Sequence, residues 1–274
     1  MTMNIDWVAI AARDNGDRRN PALLLLHGFT GSGSVWAGLT PGLRRRGLRT
    51  IAPDLPGHGR AGVPAEPASA TVEGTADELA RLLGRLDATP ASVLGYSLGA
   101  RIALGLAIAH PGVIDRLVLE SPSAGIADPA EREARRRADE QLADELERDG
   151  LVAFIDQWER NPVFASHAKL DPRVARVQRE FRLRNTAAGL ALSLRLAGQG
   201  AMQPLHDRLA EIARPTLVIA GALDPARSRA EQVAAGIPGA RLAMVKGAGH
   251  TPHLERPAAF RRLVTDFLLE DAAS

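Results

Sequence analysis

Ser92-Val93-Leu94-Gly95-Tyr96-Ser97-Leu98-Gly99-Ala100 is the stretch on which the fold turns. Its first three residues continue an apolar strand pattern, and a helical pattern runs from Leu98 to His110. Gly95 and Gly99 bracket the serine in a sharp strand-to-helix turn that needs small residues on either side and lifts the Ser97 Oγ onto the carboxyl end of a sheet. The following helix aims its first N–H groups at the same place, where developing negative charge is favoured. Without those flanks the pentapeptide reads as an ordinary Gly/Ser turn; here both flanks fit.

Outward from this turn, short apolar runs alternate with helical patterns. Strands are predicted over Trp7–Ala12, Ala22–Leu26, Arg49–Ala52, Ser92–Leu94, Arg116–Leu119, Thr216–Ala220 and Arg241–Val245. From Leu23 onward they read as continuous apolar runs, the pattern of strands buried on both faces. Helices are predicted over Ser34–Arg46, Thr71–Leu86, Leu98–His110, Arg227–Ala235 and Pro257–Leu269. The class is therefore α/β, with a mostly parallel sheet flanked by helices. One stretch breaks the alternation: from Asp128 to Ala213 only helical pattern is visible, beginning with the charged segment Glu131–Arg148. Such a block between strands of one sheet reads as a helical cap inserted over the sheet's end, not as an independent domain. Residues 1–127 and 214–274 then form the core, and 128–213 the cap.

The 274 residues suffice for one large domain, and 34 Lys+Arg against 32 Asp+Glu leave a formal charge of only +2. That balance predicts neither a nucleic-acid partner nor membrane insertion, and the apolar run Leu23–Leu26 is far too short to span a bilayer. With no cysteine, disulfides, thiolate metal sites and a cysteine nucleophile are all excluded. Residues Met1 to Asn15 show no basic start followed by an apolar segment, so no secretory leader is predicted and a cytoplasmic location is expected. A monomer or weak homo-oligomer is expected.

Serine is a weak nucleophile or base until a histidine takes its proton, and the histidine needs an acid to fix its tautomer. On a sheet with this turn the groups follow in the order serine, acid, histidine, each after a strand. Asp224 follows Thr216–Ala220, and His250 follows Arg241–Val245 in Gly247-Ala248-Gly249-His250. Glu120, at the end of Arg116–Leu119, is the rival acid; Asp224 is preferred and Glu120 is then structural or a neighbour of the site. His110 at a helix end, His58 in a turn and His253 as a supporting or surface group do not end strands. An oxyanion hole is expected from the N–H of Leu98 and that of Phe29 in His27-Gly28-Phe29, which otherwise reads as a plain tight turn. The loop Asp54-Leu55-Pro56-Gly57-His58-Gly59 is expected to shape the pocket wall without chemistry of its own.

His27-Gly28-Phe29, the 54–59 loop, the serine turn and Gly249-His250 together resemble the α/β-hydrolase superfamily over the whole chain. Finer features resemble one family within it. These are His27-Gly28-Phe29-Thr30-Gly31-Ser32 with Trp36, Gly95-Tyr96-Ser97-Leu98-Gly99-Ala100-Arg101, Trp158 with Pro162-Val163-Phe164-Ala165-Ser166, and Gly198–Pro204. The family is the menaquinone-pathway 2-succinyl-6-hydroxy-2,4-cyclohexadiene-1-carboxylate synthase (MenH). The resemblance implies a lyase that eliminates pyruvate from a succinylated cyclohexene carboxylate, without cofactor or metal, with the triad serine as base. It also implies Tyr96, Arg101, Arg135, Trp158 and Arg182 as substrate-binding residues. Arginine's forked donors suit a polycarboxylate, and Arg101 lies one helical turn past Ser97, where the bland reading is a solvated helix residue. Arg136, Arg137 and Arg184 flank the two cap arginines, and a run such as Arg132–Arg137 is ordinarily a solvated face. The chain departs from the family in lacking its lysine after the acid: Ala226 stands there, and Arg227 either replaces it or begins the next helix.

Two other classes compete. A serine hydrolase of an ester or vinylogous C–C bond with an acidic substrate uses the same triad and is marked by robust ester turnover. A ligand receptor on the same scaffold is marked by tight binding without turnover, unchanged by Ser97→Ala.

Overall fold

The computed structural model describes residues 13–270. Among them, β1 (Arg13–Asn15), β2 (Ala22–Leu26), β3 (Arg49–Ala52), β4 (Ala91–Tyr96), β5 (Ile114–Glu120), β6 (Thr216–Gly221) and β7 (Arg241–Val245) form one sheet. Its order is β1-β3-β2-β4-β5-β6-β7. β1 is antiparallel to β3, and every other pairing is parallel. The strand predicted over Trp7–Ala12 falls outside the described residues.

Alternate residues of the central strands feed two cores, as the pleat requires. Leu24, Leu26 and Val93 pack against the helices α2 (Val72–Arg85) and α3 (Leu98–Ala109), while Leu23, Leu25 and Leu94 pack with Trp36, Phe260 and Val264. Before α2, the helix predicted over Ser34–Arg46 is broken into a 3-10 helix, Gly33–Gly38, and α1, Thr40–Arg45. Pro41 has no N–H to continue the first helix and sits instead in the opening turn of the second. β7 also departs from expectation. Leu242 and Met244 are 41% and 40% exposed, because this strand is the sheet's edge and has β6 as its sole neighbour.

Between β5 and β6 the described chain is helical: α4 (Pro129–Asp149), α5 (Leu151–Trp158), a 3-10 helix (Pro162–Lys169), α6 (Pro172–Arg182), α7 (Ala187–Ala197) and a 3-10 helix (His206–Glu211). The charged α4 buries only Asp139, Ala143 and Leu146, one stripe at helical spacing, against Phe154, Ile155, Leu190 and Leu194. Arg195 of α7 then bonds to Glu140, Asp144 and Glu147 of α4 at 2.7, 2.6 and 3.0 Å. Asn185 stitches this unit to the core: its Nδ2 donates to Thr30 O, and its Oδ1 accepts from Gly59 N, both at 2.8 Å. α8 (Arg227–Gly236), α9 (Pro252–Glu255) and α10 (Pro257–Leu269) complete the core.

Strand order reverses between β2 and β4, since β3 lies outside β2 and β5 outside β4. A parallel sheet splays its loops apart there, opening a crevice at the strands' carboxyl ends. The loop carrying Phe29 and the turn carrying Ser97 leave the sheet at that crevice, and the cap covers it. Among the described residues no helix is long and apolar enough to cross a membrane.

Candidate active site

β4 runs on to Tyr96, and Ser97 takes φ 50° and ψ −104° before α3 begins. A left-handed conformation at a residue with a side chain costs about 1–3 kcal/mol and persists only where the surroundings enforce it. Here Ser97 N donates to Glu120 O at 2.9 Å, and Ser97 O accepts from Arg101 N at 3.1 Å. The flanking glycines are needed for close approach: a Cβ on Gly95 would lie 2.3 Å from Gly99 O, and one on Gly99 2.3 Å from Leu26 O.

Three loop residues then meet. His250 Nε2 lies 3.2 Å from Ser97 Oγ, and His250 Nδ1 lies 2.8 Å from Asp224 Oδ2. The remaining Asp224 oxygen accepts from Ala226 N at 2.8 Å. Burial raises the Asp224 pKa, but the bond from His250 and that N–H outweigh it and hold the carboxyl below its usual range. Glu120 belongs to a different pair: its Oε1 accepts from both N and Nδ1 of His253 at 2.8 Å. His253 is accordingly buried under Trp36 and Tyr96 rather than at the surface. His110 bonds to Asp77 on α2.

One supporting residue escaped the sequence reading. Glu255, at the end of the short helix Pro252–Glu255, accepts from Gly249 N at 2.8 Å and from Thr251 N at 3.1 Å, the residues on either side of His250. Ser121 Oγ donates to His250 O at 3.0 Å. The imidazole is therefore held by its own backbone loop as well as by Asp224.

The N–H groups of Phe29 and Leu98 have no partner among the described residues, and both residues line the cavity above Ser97. His27 fixes the Phe29 loop, with Nδ1 on Gly28 O at 2.8 Å and Nε2 accepting from Leu55 N at 2.9 Å. The 54–59 loop, expected at the pocket wall, lies behind it. His58 packs edge-on against the Phe29 ring at 5.7 Å, and Gly57 abuts Gly189 of the cap so closely that a Cβ there would sit 2.2 Å from Gly189 O.

The cavity holds about 240 Å³ between core and cap. Phe29, Trp158 and Phe164 form an aromatic group in it, with Phe29–Trp158 and Trp158–Phe164 centroids 5.1 and 5.8 Å apart. Tyr96 lines it too; burial, then Glu120, raise its pKa well above the phenol's usual value, so it stays protonated as a donor. Arg101 and Arg135 line it, as expected, but Arg182 does not. Arg182 Nη1 is bonded to Glu159 Oε1 at 2.7 Å, and its guanidinium lies over the Phe164 ring, 5.5 Å from the centroid. Of the arginine run, Arg136 and Arg137 pair with Glu133 on the solvent side, while Arg135 turns inward and bonds to Asp139 at 2.8 Å. Arg227 opens α8 and is not on the cavity; Arg229, two residues on, is.

Comparisons with known proteins agree with this architecture. The family model described as the alpha/beta hydrolase fold matches residues 21–257. The chain is 36% identical over 271 residues to a Bacillus subtilis (strain 168) protein provisionally named 2-succinyl-6-hydroxy-2,4-cyclohexadiene-1-carboxylate synthase, covering 97% of this chain and 98% of that one. It is 29% identical to the enzyme of that name from Serratia proteamaculans (strain 568), over 96% of this chain and 98% of the other. Among solved structures, MenH from S. aureus superposes with a TM-score of 0.90 at 30% identity, covering 95% of this chain and 98% of that chain.

Proposed function

We propose, from the premise that the chain belongs to the α/β-hydrolase family and within it to the 2-succinyl-6-hydroxy-2,4-cyclohexadiene-1-carboxylate synthases, that it is the lyase its relatives are named for. It eliminates pyruvate from a succinylated cyclohexene carboxylate in menaquinone biosynthesis, in the cytoplasm, and its ligand is a small polycarboxylate. The observation that carries this reading is a serine–histidine–aspartate unit opening into a cavity whose charged lining is Arg101, Arg135 and Arg229 against a single acid, Asp139. An ester pocket has no use for such an excess of positive charge; a substrate with several carboxylates does.

The roles follow from the geometry. Asp224 holds His250 with Nδ1–H toward itself, leaving Nε2 as base toward Ser97 Oγ. The serine oxygen, relieved of its proton, removes the proton from the ring carbon that bears the succinyl group. The electron pair left behind moves onto the succinyl carbonyl oxygen, where the Phe29 and Leu98 N–H groups receive the charge. Collapse of that enolate shifts the ring double bond and breaks the C–O bond to enolpyruvate. His250 returns its proton to the departing group, which becomes pyruvate. Tyr96, Arg101, Arg135 and Trp158 bind substrate in this scheme.

The test is release of pyruvate from the enolpyruvyl precursor, followed by coupled reduction with lactate dehydrogenase. Release far above the uncatalysed rate, lost in Ser97→Ala, is expected. Background-rate release alongside robust turnover of simple esters would replace the lyase with a hydrolase.

A further inference from the structure

The arginines of the cavity differ in what neutralises them. Arg135 has Asp139 at 2.8 Å, and Arg182, off the cavity, has Glu159 at 2.7 Å. Arg101 and Arg229 have no carboxylate within ion-pair distance among the described residues. The Arg101 Nη1 donates to Ala197 O at 2.6 Å, and the Arg229 Nη1 donates to Gln199 Oε1 at 2.9 Å. Arg101 is buried and Arg229 is half-buried. A guanidinium withdrawn from water without an anion is a standing cost to the fold, and proteins keep one where a ligand supplies the charge. Burial lowers the pKa of both side chains, and Arg135 lowers each further, so the three cations feel one another and form one cluster.

We propose that Arg229 is a substrate-carboxylate ligand that works with Arg101 and takes the part that the family resemblance implies for Arg182, and that Gln199 positions it from the cap. This rests on the lyase reading for the identity of the substrate. The product named for the relatives has a succinyl and a ring carboxylate, and the departing enolpyruvate carries a third. Arg101, Arg135 and Arg229 offer a matching set of cations. Arg229 stands on the first turn of α8, just past the loop of Asp224, so it enters from the core side. Gln199 belongs to the cap, and the bond between them spans the two. Arg229 stands five residues past the acid and lines the cavity, whereas Arg227, nearer the position of the family's lysine, does not.

Arg229→Gln and Arg229→Lys would be compared with the native protein in three measurements: pyruvate release, citrate binding by calorimetry, and thermal melting. Arg229→Gln is expected to lower kcat/KM roughly 30-fold or more, chiefly through KM, and to weaken citrate by a similar factor. Arg229→Lys is expected to recover part of both losses. Melting of Arg229→Gln at or above the native temperature is expected, since a half-buried cation without a carboxylate partner has been removed; a residue with a merely structural role would melt lower. A kcat/KM and citrate affinity within twofold of native would overturn the proposal, as would failure of the native protein to bind citrate at millimolar concentration. If the native protein releases no pyruvate but binds citrate through Arg229, the lyase reading falls and the carboxylate site stands.

Discussion

On the core wall of the cavity, Ser97, His250 and Asp224 leave the carboxyl ends of β4, β7 and β6 and bond to one another at 3.2 and 2.8 Å. On the cap wall, Arg135, Trp158 and Phe164 come from separate helical segments, and none hydrogen-bonds to the triad. The core groups are satisfied within the protein: Glu255 and Ser121 brace the histidine loop, and Ala226 N braces the aspartate. The positive charge beneath the cap is only partly satisfied, with Asp139 the sole acid on the cavity. A wall that is complete without ligand is suited to carrying out a reaction, and a wall that needs an anion is suited to choosing what reacts. Substitutions of the triad and its braces should therefore fall on kcat, and those of the cavity arginines and the cap residues on KM.

The largest expected effect is that of Ser97→Ala, about ten-thousandfold to a millionfold on kcat for pyruvate release, with the melting temperature unchanged or raised because no packed group is lost. Residual activity within a hundredfold of native would remove the serine from the proton path and break the comparison at its strongest point. Glu255→Gln is a subtler blow to the same wall. It puts an amide N–H opposite a backbone N–H beside His250, and should lower kcat about 10- to 100-fold while costing about 1–3 kcal/mol of stability in urea titrations. An unchanged kcat would mean that Asp224 and Ser121 suffice to aim the imidazole.

How legible each wall was in the sequence follows from how local its constraints are. The serine turn declares itself because only glycine tolerates the approach of Gly95 to Gly99 O and of Gly99 to Leu26 O, and those requirements sit within a few residues of each other. Asp224 and His250 could be picked because each follows a strand in the order the sheet imposes. Glu255 could not, since its role depends on a single-turn helix folding back on the histidine loop. The cap was visible as a helical block, but not its facing: whether Arg135 or Arg136 turns inward depends on where Glu133 and Asp139 sit around the helix. Arg182 matched by motif, yet Glu159, a neighbour in space only, holds it elsewhere. The break at Leu39 was legible in Pro41 and passed over because the apolar spacing runs through it.

On the cap wall the paired substitutions Arg135→Gln and Arg182→Gln sharpen the contrast. Arg135→Gln should raise KM about tenfold with kcat little changed, and lower stability by about 1–3 kcal/mol because Asp139 is left buried without its partner. Arg182→Gln should change KM only a few-fold, since its guanidinium is already spent on Glu159. A larger loss from Arg182→Gln than from Arg135→Gln in the same kinetic titration would show that substrate draws the cap inward and brings Arg182 onto the cavity.

The smallest effect, nil at neutral pH, concerns the seam between the walls. His58 lies buried beneath Phe29, and burial, then His27, pull its pKa down to about 3; burial likewise lowers His27, and His167, which bonds to Thr251 Oγ1 at 2.7 Å, is pulled down to about 4. Unfolded histidines titrate near 6.5, so above that pH folded and unfolded chains hold the same protons on these groups. Below it the unfolded chain gains protons that the folded chain refuses, and stability is lost as pH falls from about 6.5 toward 4 for His167 and on toward 3 for His58. Each fully buried histidine contributes at most about 1.4 kcal/mol per pH unit. Urea midpoints should therefore decline on acidification through this window, and His58→Gln should decline less steeply than the native protein. Because His58 supports the Phe29 loop and takes no proton from substrate, kcat of His58→Gln at pH 7 should stay within a few-fold of native. Equal acid slopes for the two proteins would place the sensitivity above about pH 4 in His167 and His27 instead, since Asp224, with its lowered pKa, begins to lose its own contribution only below about 4.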